Sequence, residues 1–221
     1  MTAYEQSELS AEARRANARL RTTLTRTDRD FALAKSLVQA AQPPVPDVGP
    51  GVQVVVHHAS GHPTGTDWWE ITRTGLTVHI VLADTAGPAT PAGAMLPVFL
   101  RTVVDRFAHF NPGKLLASVN QELIALALDD PPVVAISVLH LDVETGRFAV
   151  ARAGAPRPVL VPEKGSPVEI SLPGPLLGVF DAAEFPEHVG ELRKREKLVL
   201  KTESEEENSL EDRTRIEVEL G

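Results

Sequence analysis

Gly65-Thr66-Asp67-Trp68-Trp69 and Leu82-Ala83-Asp84-Thr85-Ala86-Gly87 decide how this chain is read. Between them, Trp68 to Thr72 and Leu76 to Leu82 are rich in aromatic and β-branched residues and predict two strands turning at Arg73-Thr74-Gly75. A hairpin built this way returns Asp67 and Asp84 to the same end, where they face one small volume. Like charges held that close repel unless a cation or a shared proton lies between them. That makes the pair a candidate Mg²⁺ or Mn²⁺ site. Aspartate also ends strands in ordinary turns, and spacing alone leaves that plainer reading open.

Further strands are predicted at Val52 to His58, Val133 to Asp142, Phe148 to Ala153, Pro158 to Val161, Leu198 to Lys201 and Thr214 to Leu220. Helices at about Pro91 to Phe110 and Pro112 to Leu128 separate the hairpin from the next strand. Their order suits two stacked sheets. Pro97 marks a kink or a late start in the first of those helices. Upstream, a long helix is expected from near Ser7 or Ser10 to the bend Gln42-Pro43-Pro44-Val45-Pro46. Leu20, Leu24, Thr27, Phe31, Ala34, Val38 and Ala41 recur along it at alternating spacings of four and three, a heptad-like stripe flanked by Arg14, Arg15, Arg19, Arg21, Arg26 and Arg29. The part before Phe31 is expected to meet a partner or a second copy, and the rest to lie on the body. The chain accordingly divides into a helical segment, 1–42, and a domain, 43–221.

The order of these pieces resembles the PPM-type serine/threonine phosphatases of the SpoIIE/RsbU kind over roughly residues 31 to 220. The family runs from a helix through a Pro-rich bend and a strand to Gly-Gly-Asp-(Tyr/Trp)-Tyr-Asp, where this chain has Gly65-Thr66-Asp67-Trp68-Trp69-Glu70. Asp84-Thr85-Ala86-Gly87-Pro88-Ala89 stands for Asp-Val-Ser-Gly-His-Gly, and Pro91-Ala92-Gly93-Ala94-Met95 for the helix that follows. Pro112 with Leu115, Leu116, Asn120 and Leu123 resembles the family's Leu-x-x-Leu-Asn-x-x-Leu helix. Ala151-Arg152-Ala153-Gly154-Ala155-Pro156 stands where Ala-Asn-Ala-Gly-His-x-Pro is usual, and Pro175-Leu176-Leu177-Gly178 matches a Pro-Leu-Gly segment.

The resemblance implies an α+β fold, an α/β-β/α four-layer sandwich with an N-terminal helical extension and metals at one mouth between the sheets. It also implies two ions, Mn²⁺ or Mg²⁺, that lower the pKa of a water attacking phosphorus in line. Asp84 then bridges the ions, the Thr85 carbonyl or a neighbour completes one shell, and Asp67 ligates directly or through water. Glu203 in Thr202-Glu203-Ser204 stands for the Asp of Thr-Asp-Gly, and Glu211-Asp212-Arg213-Thr214 for Asp-Asp-x-Thr. Glu is longer than Asp by about 1.5 Å, a real change for an ion as demanding as Mg²⁺. Pro88 and Ala89 also replace the family's His and Gly, and only seven residues separate Glu203 from Glu211. Two functions follow: a phosphatase acting on a phosphoserine or phosphothreonine of a regulatory protein, or a pseudophosphatase that binds a protein partner without chemistry. Within 203–212, Glu203, Glu205, Glu206, Glu207, Glu211 and Asp212 also read as a solvated acidic loop.

Composition narrows the classes further. With 221 residues and 43% hydrophobic side chains, the chain is long enough to bury a core. It has no cysteine, so thiol chemistry and disulfides are excluded, which suits a cytoplasmic location. A formal charge of −8 argues against nucleic acid, and no apolar run is long enough for a membrane span. His57 and His58 are expected on opposite strand faces, one of Trp68 and Trp69 in the core, and Arg152 and Arg157 near enough to Gly154 to meet a phosphate or to pair on the surface.

Overall fold

The computed structural model describes residues 3–41, 45–59, 67–86, 95–129, 131–202 and 213–221. It opens with helix α1 (Ala3–Ala41). The helix begins earlier than Ser7, because Tyr4-Glu5-Gln6 carries no breaker, and ends before Pro43. Ten strands follow among the described residues: β1 (Val52–Ala59), β2 (Asp67–Thr74), β3 (Thr77–Ala86), β4 (Val133–Asp142), β5 (Arg147–Ala153), β6 (Val159–Val161), β7 (Val168–Glu169), β8 (His188–Glu191), β9 (Lys197–Lys201) and β10 (Arg213–Leu220). Helices α2 (Met95–Phe107) and α3 (Pro112–Ala125) lie between β3 and β4.

The strands make two five-stranded sheets, ordered β1-β10-β9-β6-β7 and β2-β3-β4-β5-β8, with antiparallel neighbours throughout. Alternation along each strand divides the side chains between two cores. Trp69, Ile71, Ile80, Leu82, Leu139 and Val150 of the second sheet meet Leu198, Leu200, Ile216 and Val218 of the first. On its other face, Trp68, Val81, Ala83, Ile136 and Val138 pack under Leu100, Val103 and Val104 of α2 and Leu115, Leu116 and Val119 of α3. This is the α+β sandwich expected from the sequence. Both Trp68 and Trp69 are buried, which corrects the expectation that one would lie at the surface: their sheet is covered on both faces, so either side of β2 is interior.

Local chemistry sets the element ends. Gly75 takes φ +62° in the β2–β3 turn, where a Cβ would be strained. Arg73 fastens that turn by donating to the carbonyls of Gly75, Val48 and Pro50. Pro97 lies within the first turn of α2 as described from Met95, and 91–94, which were expected to be helical, lie outside the described residues. Asn111 caps α3, its side chain accepting from the Lys114 amide at 3.1 Å, with Pro112 at the first helical position. Strands β7 and β8 were not expected from the sequence; at two and four residues they carry too little alternation to read.

Candidate metal centre

The β2–β3 ladder pairs Asp67 directly with Asp84. Directly opposed residues of an antiparallel pair project to the same face with Cβ atoms about 5 Å apart. Here that face is the inner one, since Trp69 and Ile71 follow Asp67 in alternation and Leu82 and Ile80 precede Asp84. The two carboxylates therefore stand together at one end of the sandwich.

Asp67 is only 1% exposed. A buried carboxylate needs donors, and the first sheet supplies them. Thr202 Oγ1, just past β9, donates to Asp67 Oδ2 at 2.9 Å, and Thr214 Oγ1, early in β10, donates to the same oxygen at 2.5 Å. The threonines are locked to one another: the Thr214 amide donates to Thr202 Oγ1 at 3.0 Å, and the Thr202 amide to the Thr214 carbonyl at 3.0 Å. His58 Nδ1 lies 2.8 Å from Thr214 Oγ1, and its ring sits against Trp69 with centroids 5.2 Å apart. Asp67 thus bridges the sheets. Neither threonine was singled out from the sequence as a support for Asp67; the available signal was that each is the threonine of a carboxylate-bearing motif.

Thr85 is buried next to Asp84 in β3, paired with Val134. Strand alternation turns its side chain to the helix-covered face, so any share in the mouth falls to its backbone. Glu203, Glu211 and Asp212 lie outside the described residues, as do Pro88 and Ala89. Among the described residues no three His, Cys, Asp or Glu converge on one point. The donors on show are all oxygen, two of them carboxylates on one face, and this set fits a hard divalent cation such as Mg²⁺ or Mn²⁺ in preference to a thiolate- or imidazole-seeking one. His57 turns outward to Glu217 at 3.8 Å, so the adjacent histidines do part to opposite faces as expected. Arg157 pairs with Glu169 at 3.4 Å, whereas Arg152 turns inward.

Two other motif segments are joined near this mouth. Asn120 in α3 donates from Nδ2 to the Phe180 carbonyl at 2.9 Å and accepts from the Gly178 amide at 2.8 Å. A single buried amide thereby holds the Pro175-Leu176-Leu177-Gly178 segment on α3.

The family model described as Stage II sporulation protein E (SpoIIE) matches residues 74–219. No curated protein matches the chain. Among solved structures, the SiaA-PP2C domain of Pseudomonas aeruginosa is 12% identical, with a TM-score of 0.69 over 90% of this chain and 98% of that one. The RsbU and RsbW domains of Rv1364c from Mycobacterium tuberculosis are 17% identical, with a TM-score of 0.66; the match takes in 78% of this chain but only 62% of that one. RsbX in complex with magnesium is 16% identical, with a TM-score of 0.64 over 78% of this chain and 97% of that one. At these identities the structures establish the shared fold.

Proposed function

The chain belongs to the SpoIIE family, and from that premise we propose that it is a metal-dependent phosphatase acting on phosphoserine or phosphothreonine in a bacterial regulatory protein. The observation that carries the reading is the face-to-face pairing of Asp67 and Asp84 at the mouth, with Asp67 fixed by Thr202 and Thr214. In this reading Asp67, Asp84 and the Thr85 backbone hold the ions together with Glu203, Glu211 and Asp212, two ions of Mn²⁺ or Mg²⁺ in all. When bound, such ions supply charge neutralisation at phosphorus and a more acidic water. The chain's own share is to hold the carboxylates: Asp67 is fixed in place by two hydroxyl donors, and Asp84 is set opposite it by the ladder.

Segment 1–42 is proposed as a signalling or homodimerisation arm and 43–221 as the phosphatase domain. A cytoplasmic setting is part of the proposal, supported by the absence of cysteine. Among the described residues no helix is long and apolar enough to cross a membrane.

A second reading, a pseudophosphatase that binds a protein partner or its own copy, is favoured by Pro88 in place of the motif histidine and by Glu203 in place of the motif aspartate. Calorimetric titration with Mn²⁺, run beside turnover of an aryl phosphate, separates the two. The phosphatase reading expects Mn²⁺ binding and Mn²⁺-dependent turnover, with Asp84→Asn lowering turnover by about a hundredfold or more. Tight Mn²⁺ binding without turnover selects the second reading, and absence of both removes the metal role from this mouth.

A further inference from the structure

The inner face of the second sheet is apolar along most of its length and turns polar beside the mouth, where Ser137 of β4 and Arg152 of β5 are direct partners. Arg152 is half-buried and held by main chain. Its Nε donates to the Leu172 carbonyl at 2.7 Å, and its Nη1 to the Ala155 carbonyl at 2.5 Å. Gly174 closes over it: a Cβ at that position would stand 2.8 Å from Arg152 Cγ, 2.9 Å from Cζ and 3.0 Å from Nη1. Only glycine leaves room for the guanidinium where it lies.

Nothing of opposite charge balances it among the described residues, whose ion pairs leave Arg152 out. Its neighbour Arg157 is occupied by Glu169. Burial first, and then the positive charge of Arg157, pull the Arg152 pKa below the ordinary arginine value. A cation kept partly out of water without a counter-ion is costly, and the cost is offset when an anion arrives. The second polar group of the row points the same way: Ser137 is 1% exposed, and its hydroxyl has no hydrogen-bond partner among the described residues.

Position does the rest. Asp84 pairs with Ala135, while the next β4 residue, Ile136, pairs with Ala153 at the end of β5. The guanidinium, tied to Ala155 beyond that strand end, therefore sits towards the rim shared with Asp67 and Asp84, two strands or about 10 Å across the sheet from Asp84 and three strands or about 14 Å from Asp67. The bonds to Leu172 and Ala155 use Nε and Nη1, which leaves Nη2 as the nitrogen on offer. A planar guanidinium is well matched to a phosphoryl group.

We propose that Arg152 is a substrate-binding residue that takes the dianionic phosphoryl group of a phosphomonoester at this mouth. The inference rests on the phosphatase reading for the identity of its ligand, and Arg152 departs from the motif this segment resembles, in which asparagine is usual.

The test is calorimetric titration of the full-length chain with inorganic phosphate and with O-phosphoserine, in wild type, Arg152→Ala, Arg152→Lys and Gly174→Ala. Wild type is expected to bind both. Arg152→Ala weakens binding about tenfold or more, Arg152→Lys by less, and Gly174→Ala, which keeps the charge but displaces the guanidinium, also weakens it. If Arg152→Ala melts early, Arg152→Lys and Gly174→Ala carry the comparison. Binding absent from wild type, or the same within about twofold in all variants, overturns the assignment. With Mn²⁺ and an aryl phosphate, Arg152→Ala is expected to raise KM about tenfold while kcat moves less than about threefold. A fall in kcat at unchanged KM overturns the binding role. Arg152-dependent phosphate binding in a chain without turnover would sink the phosphatase reading and leave this one standing.

Discussion

Asp67 shows how much of a site depends on single protons. Thr214 has one hydroxyl hydrogen, and with Asp67 ionised that hydrogen goes to Oδ2 at 2.5 Å. His58 Nδ1, 2.8 Å from the same hydroxyl oxygen, must then be the protonated ring nitrogen and donate to it. With an ionised Asp67, the order His58, Thr214, Asp67 follows from donor count. Thr214→Val removes the hydroxyl from both partners, leaving Asp67 with one fewer donor and His58 Nδ1 without its acceptor. The expected loss is about 2 kcal/mol, read from the urea midpoint, with most of it recovered in Thr214→Ser. Asp67, Asp84 and both threonines were visible in the sequence as motif residues. Arg152 was visible as an arginine beside Gly154 that would either meet a phosphate or pair on the surface, and the choice was open because its placement depends on the register of β5 against β4 and on the backbone of 172–174, and short-range pattern encodes neither.

Between elements, the back of the β2–β3–β4 ladder carries a titratable layer. His79 and His140 are cross-strand partners with ring centroids 4.3 Å apart, beside Glu70 of β2 and Asp105 of α2. Burial, and then His79, bring the His140 pKa from its ordinary 6.5 down to about 4. Burial lowers that of His79 as well. Between those pH values the unfolded chain binds a proton at position 140 that the folded protein does not. Stability is therefore full above about pH 6.5 and drains away as pH falls towards 4, by an upper bound on the order of 3 kcal/mol. Glu70 acts in the other direction: burial and then Asp105 raise its pKa, so its share is lost as pH rises. Comparing wild type with His140→Phe at pH 7 and pH 5 cancels Glu70, and the variant should lose less on acidification. Equal losses would show that the ring is protonated in the fold at little cost. Asn120 is the other joint between elements. Asn120→Leu leaves the Gly178 amide and the Phe180 carbonyl unpaired and should cost about 2–3 kcal/mol by thermal denaturation. The sequence presented Asn120 and Gly178 as separate motifs, and only the packing of the 175–180 segment on α3 shows that they act together.

At the scale of the molecule, the strand segments were legible because alternation is local, whereas the order β1-β10-β9-β6-β7 was not. It joins the first strand to the last through main-chain pairing that leaves no periodic trace. The helical arm presents the converse case, a clear pattern without a partner on view. The described side chains of α1 are exposed, Leu20 at 56% and Leu24 at 54% among them, in the part expected to meet a partner; Phe31, Ala34, Val38 and Ala41, the part expected on the body, have side chains outside the described set. A long helix gains most of its stability from packing an apolar face. Leu24, Phe31 and Val38 repeat every seven residues, and seven before Leu24 stands Asn17, the residue that at such a position favours a parallel pair in one register. In that register Asp30 of one copy also faces Lys35 of the other, an attractive flanking pair. The full chain is therefore expected to sediment with a mass that doubles as concentration rises. Leu24→Glu should return it to monomer, and Asn17→Leu should tighten association while admitting species larger than a dimer. A mass that stays that of one chain at every concentration would assign the stripe to some other surface and leave the phosphatase domain to work as a single copy.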